Sequence, residues 1–141
     1  MRSPALASGY YNRPDLQAAF QDGWFRSSDL GYLDAGGYLH MLGRADDVAW
    51  IGEIMVSATG IQDTLCGLPS VRYAAVVGNH EAGSWIAAVV PWDGSSVDLA
   101  QCRNVIAAIY GAAPVTIIPV ERIQLTPQGK AERSAIADLA R

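Results

Sequence analysis

Lysine is nearly absent from this chain. Nine of its ten basic residues are arginine, and Lys130 stands alone. Any chemistry that needs an ammonium on a flexible stem therefore has one candidate, because the planar, bidentate guanidinium of arginine is not its equivalent. Cysteine is almost as scarce: Cys66 and Cys102 are far apart and form no CxxC. That spacing suggests neither a zinc site nor a disulfide framework and suits a reducing cytoplasm. No apolar run approaches the ~20 residues of a membrane helix, and Arg44, Asp46 and Asp47 interrupt the middle. Met1–Tyr10 lacks the cationic start and long apolar stretch of a secretory signal. Positive charge is not in excess either. The net charge of -4 offers no electrostatic footprint for nucleic acid or an anionic membrane.

What is present is ordinary for a folded chain. Of 141 residues, 50% are hydrophobic and 17% charged, which argues against disorder and suits one compact domain, or one domain with an appended strip. Asn12-Arg13-Pro14-Asp15 reads as a helix start capped by Asn12, with Leu16, Ala19 and Phe20 on one face and Asp22-Gly23 as the stop. Asp34-Ala35-Gly36-Gly37 reads as the turn of a β-hairpin. Val48–Ile51 reads as a short strand, and Val56–Leu65 as a helix capped by Ser57 and weakened by Gly60.

Tyr73–Val77 and Trp85–Val90 are apolar and rich in β-branched residues, as buried strands are. Asp98–Tyr110 is an amphipathic helix with Leu99, Cys102, Ile106 and Ile109 spaced for one face. Val115–Val120, broken by Pro119, suits an edge strand or a bend. Thr126–Gly129 is a turn, and Ala131–Leu139 a terminal helix. Trp24, Trp50 and Trp85 read as packing anchors and Trp92 as a strand-end cap. The interleaving of strands and helices from about residue 47 predicts an α/β (α+β) domain, with a short mixed sheet flanked by helices and a β-hairpin before it.

Three stretches, in order, carry a resemblance. GYYNRPDLQAAFQDGWFRSSDLGYLDAGGYLHMLGR is similar to the aspartate-bearing hairpin run of adenylate-forming (AMP-binding, ANL superfamily) acyl-CoA synthetases. GRADDVAWIGEIMV resembles the hinge motif of that family, and LTPQGKAERSAI its terminal proline–glycine–lysine motif. The resemblance implies that residues 1–45 are the tail of a large AMP-binding domain and that residues 46–141 are the mobile C-terminal domain.

It also implies roles for single residues, each with a plainer alternative. Asp29 would accept hydrogen bonds from the ribose diol of AMP, or else serve as a turn or capping residue. Arg44 would hold ribose or phosphate oxygens, or else be a solvated arginine. Asp46 would be the hinge whose torsions change between two half-reactions, where an Asp-Asp pair is otherwise an exposed turn. Lys130 would stabilise the anionic transition state at the α-phosphate, on a loop that Gly129 lets approach closely, or else be a surface lysine beside a helix start. Gly52 and Glu53 would belong to the loop beside the pantetheine tunnel. No metal-binding cluster is suggested, and His40 and His80 have no Ser or Cys at catalytic spacing.

The chain departs from the family at several points. Ser27-Ser28 precedes Asp29 where Thr-Gly is usual, Gly52-Glu53-Ile54-Met55 replaces a Gly-Gly-Glu-Asn pattern, and Gly60 stands where glutamate is common. The last two weigh against thiol-acceptor binding more than against adenylation. Nothing resembles the phosphate-binding loop or the acid pocket of the large domain, and GxxxxGK[ST] is absent.

Two readings follow. One is the C-terminal part of an ATP-dependent carboxylic acid–CoA ligase, inactive without a large-domain partner, with ATP/AMP, Mg2+ and CoA or a carrier protein as implied ligands. The other is a degenerate, non-catalytic module that docks on a synthetase or carrier protein. Neither involves nucleic acid or a membrane.

Overall fold

A computed structural model of the chain describes residues 1–79 and 82–141. Its centre is a three-stranded mixed sheet of β7 (Val71–Asn79), β8 (Ser84–Pro91) and β9 (Val115–Pro119), with β8 in the middle. β7 runs antiparallel to β8, while β9 runs parallel to it and is reached through a crossover. That crossover holds α2 (Leu99–Tyr110), as a parallel return requires. Pro119 ends β9 opposite Val89 on the sheet edge, the place in a sheet where proline is tolerated.

Alternation along the strands makes two cores. Ala74, Val76, Trp85, Ala87 and Val89 face α1 (Ala58–Cys66) and α2, meeting Ile61, Leu65, Cys102 and Ile106. Ala75 and Ala88, paired across the sheet, face the other way onto Ile136 of α3 (Arg133–Asp138). Two alanines let this short helix lie close. Every member of both clusters lies between Ala49 and Ile136, so residues 1–45 add nothing to either core.

Helix starts follow their caps. Ser57 accepts a hydrogen bond from the Gly60 amide at 3.0 Å and Asp98 from the Gln101 amide at 2.9 Å, each satisfying an orphan donor of the first turn. Val56, expected to start a helix, instead lies in β6 (Ile54–Ser57), which pairs with β5 (Val48–Ile51) in a hairpin. Gly52 opens the two-residue turn of that hairpin with φ +60, a conformation that favours glycine.

The N-terminal stretch departs most from expectation. Pro14–Ala19 is a 3-10 segment rather than an α-helix, and Asn12, at φ 52, does not cap it. Arg13 holds the cap position and pairs with Asp15. Asp22-Gly23 is not a helix stop but the tight turn between β1 (Phe20–Gln21) and β2 (Trp24–Phe25). Both turn residues have φ > 0, as a type I′ hairpin demands. Among the tryptophans only Trp85 is an anchor, at 1% exposure. Trp24 (54%) and Trp50 (67%) face solvent, and Ile109 leaves its expected face exposed.

Two glycines, Gly60 in α1 and Gly78 on β7, have tight steric settings. A Cβ on Gly60 would lie 2.7 Å from the Tyr110 hydroxyl, so Tyr110 fills the space that a larger residue there would need. On β7, a Cβ on Gly78 would lie 2.7 Å from the Asp47 Cα and 3.0 Å from its carbonyl oxygen, and backbone cannot yield as a side chain can. Gly78→Ala is therefore expected to destabilise the fold by about 1–3 kcal/mol, the usual cost of overpacking. Urea denaturation would show it as a lower midpoint at unchanged slope.

Candidate functional site

An open cleft of about 470 Å³ lies between the strand pair that carries Asp29 and Arg44 and the surface of α1, β7 and the Lys130 loop. Its walls include Asp29, Arg44, Thr59, Gln62, Tyr73 and Lys130. Three of the residues singled out from sequence, Asp29, Arg44 and Lys130, thus share one cleft although Lys130 comes from the far end of the chain. Asp46 is adjacent but outside the lining. Gly52 and Glu53 are exposed in the β5–β6 turn and do not line it either.

Asp29 and Arg44 meet because they are opposite each other in the ladder of β3 (Asp29–Leu33) and β4 (Leu39–Arg44). The far end of this hairpin is held by Asp34, whose carboxylate accepts the Gly36 and Tyr38 amides at 2.9 Å each. His40 lies 2.8 Å from Asp34 and stacks on Tyr32, so it is a positioned strand residue. The hydrogen bond from His40, followed by those from backbone amides, holds the Asp34 carboxyl below its ordinary value. His80 lies outside the described residues.

Lys130 closes a miniature hairpin. The Gly129 amide donates to the Thr126 carbonyl at 2.9 Å, the Thr126 amide to the Lys130 carbonyl at 2.7 Å, and Leu125 bridges Ala131. Pro127 takes the second turn position and Gly129 adopts φ +77, the pattern of a turn ended by a left-handed residue. The loop is short and internally bonded, so Lys130 leaves from a defined backbone. Its side chain is exposed, and no carboxylate among the described residues pairs with it. An anion entering the cleft would meet an ammonium with no ion pair to break.

Arg44 leans toward Asp46, Nη2 to Oδ2 at 3.4 Å. Burial pushes the Asp46 carboxyl up, but its backbone hydrogen bond and the charges of Arg44 and Arg133 outweigh this and leave it below its ordinary value. Asp47 differs entirely from the exposed turn residue expected of an Asp-Asp pair. Its side chain is 7% exposed and receives both terminal nitrogens of Arg133 at 2.6 Å and the Gly78 amide at 2.9 Å. Its carbonyl accepts the Trp85 indole N–H at 3.0 Å. The hydrogen bond to Asp47 raises the Arg133 guanidinium above its ordinary value, although burial acts against it.

The sequence reading missed both members of this pair. They are 86 residues apart, and no local spacing links them. The one available signal was the position of Arg133, three residues after the sole lysine. Among the described residues no group of three or more His, Cys, Asp or Glu is placed to hold a metal ion, and no helix is long and apolar enough to cross a membrane.

No family model matches the chain. Curated relatives do. It is 33% identical over 98% of its length to a probable CoA ligase, CCL9, of Humulus lupulus, and 33% identical over 90% of its length to a feruloyl-CoA synthase of an Amycolatopsis species. Among solved structures it matches the amide bond synthetase McbA of Marinactinospora thermotolerans, with a TM-score of 0.82 and 31% identity over 99% of the chain. It spans only 27% of the length of each of the two curated relatives and 30% of the solved chain.

Likeness in both sequence and structure therefore gives the class: the chain belongs to the adenylate-forming (ANL superfamily) acyl-CoA ligase family. What it matches is a small C-terminal fraction of full-length members.

Because Asp47 is buried and Arg133 only half so, removing the charge of Asp47 leaves a cation that water can still reach. Asp47→Asn is expected to cost about 2 kcal/mol, less than the 3–5 kcal/mol of a broken, fully buried pair. Thermal or urea unfolding at pH 7 would measure it.

Proposed function

We propose that this chain is the C-terminal part of an ATP-dependent carboxylic acid ligase and supplies Lys130 to an active site whose other half lies on a large adenylation domain. The observation that carries this reading is the meeting of Asp29, Arg44 and Lys130 in one cleft. In the first half-reaction a carboxylate oxygen attacks the α-phosphorus of ATP and pyrophosphate leaves, giving an acyl-adenylate. Charge builds on the phosphoryl oxygens, and a pre-positioned ammonium offsets it. The Asp29 carboxylate accepts hydrogen bonds from the ribose diol and the Arg44 guanidinium holds ribose or phosphate oxygens. In the second half-reaction an acceptor attacks the acyl carbon and AMP leaves.

The acceptor is CoA or the pantetheine thiol of a carrier protein, with Gly52 and Glu53 beside it. The relatives named for CoA support a thiol. One structural relative is instead named an amide bond synthetase. ATP, Mg2+ and the acid are bound mainly by the large domain, in the cytoplasm, where the free thiols of Cys66 and Cys102 would persist.

The domain boundary at residues 45 and 46 is part of the same reading. Residues 1–45 share in neither core, and the β3–β4 hairpin exposes Leu30, Tyr32, Leu33, Tyr38, Leu39 and Met41. A two-stranded hairpin is marginal by itself in water, so it suits a segment completed by the large domain. Asp46, at the boundary, is the pivot between the half-reactions. One observation favours the second reading, a non-catalytic docking module: Tyr110 occupies the space at Gly60 where the family commonly has glutamate.

The deciding experiment mixes this chain with a large adenylation domain and measures acid-dependent ATP–pyrophosphate exchange. Lys130→Ala is expected to lower exchange by about 100–1000-fold, the cost of deleting one pre-positioned charge donor. Equal exchange in both proteins would instead support the docking module. Asp46→Pro is expected to impair one half-reaction more than the other, read by comparing exchange with turnover of a preformed acyl-adenylate. Equal loss of both would remove Asp46 as the pivot.

A further inference from the structure

Arg133 heads α3, three residues beyond Lys130, and Asp47 directly follows Asp46. One bidentate ion pair therefore ties the lysine loop to the segment at the domain boundary. Asp47 is itself immobilised on the sheet, through the Gly78 amide, the Trp85 indole and a backbone approach that only glycine at position 78 allows. On the other side, the chain between Arg133 and Lys130 has little slack. The Glu132 amide donates to the Gln124 carbonyl at 2.8 Å and Ala131 bridges Leu125, so a shift of Arg133 is passed to Lys130 rather than absorbed.

We propose that the Asp47–Arg133 pair is a positioning strut. It makes the Lys130 loop and the segment after Asp46 one rigid body, so that any turn about Asp46 delivers the ammonium to a fixed place. Arg133 touches neither nucleotide nor acid in this role. It lines the cleft, but both terminal nitrogens are engaged by Asp47. A lysine could supply the charge but not the two parallel hydrogen bonds, which fix orientation as well as distance. The proposal rests on the reading of Lys130 given above, but its mechanical part can be tested without it.

The mechanical test uses the whole chain alone. Backbone 15N relaxation of Gly129 and Lys130 is expected to give order parameters near the rigid value of about 0.85 in the parent, falling below about 0.6 in Arg133→Gln. Amides of Ala74, Ala75 and Val76 in β7 should be unchanged. If the loop amides stay rigid, or if the sheet loosens equally, the strut is overturned. Asp47→Asn offers a second variant, which retains an acceptor for Gly78 while losing the ion pair.

The catalytic test uses the mixture with the large domain. Arg133→Gln is expected to lower kcat for exchange by about 100-fold, the effect of a displacement near 1 Å, with KM for ATP unchanged. In a Lys130→Ala background the same substitution should add almost nothing, because its effect passes through Lys130. Additive losses, or a rise in KM alone, would overturn the route through Lys130. Absence of exchange in the parent mixture would overturn the proposed reaction itself and leave the relaxation result to judge the strut.

Discussion

The burial of Asp47 is the constraint on which the rest of this structure depends. A carboxylate removed from water must have its lone pairs satisfied, and here three donors do so, two on Arg133 and one on the Gly78 amide. Those donors come from the last helix and from a sheet strand, while the carbonyl of the same residue receives the indole N–H of the most buried tryptophan. One residue thus joins the boundary segment, the central sheet and the C-terminal helix. The sheet edge must carry glycine at position 78 for the contact to exist.

The second dependence is geometric. Ala75 and Ala88 are small, so α3 rests close against the sheet face opposite α1 and α2. The loop before α3 is a closed turn with Gly129 in a left-handed conformation. α3 is held down by both Ile136 and Arg133, and Lys130 projects from the loop that leads into it. The same side of the molecule receives the β3–β4 ladder, which sets Asp29 opposite Arg44.

Much of the domain was legible in advance. The cap at Ser57, the apolar runs of β7 and β8, glycine in the turn at Gly36-Gly37 and Pro119 on an edge are all local signals, and each corresponds to an observed feature. Errors arose where a local signal had two meanings. Asp22-Gly23 stops helices and also makes type I′ turns, and the chain uses it as a turn. Tryptophan is usually an anchor, yet Trp24 and Trp50 are exposed, since a residue type does not say which face of a strand it occupies. Asp46 and Asp47 looked alike, but neighbours in a turn point different ways, one toward solvent and one into the core.

By itself the sequence determined the class of fold, the order of its elements from α1 onward, the uniqueness of Lys130 and the motifs that carry the family resemblance. These depend on residue type and short spacing, which a linear chain displays directly. Only the tertiary structure decided that Asp29, Arg44 and Lys130 share a cleft and that Asp47 pairs with Arg133 across 86 residues. Those facts follow from the path of the backbone through a closed core, and they exist only once the sheet and α3 have packed.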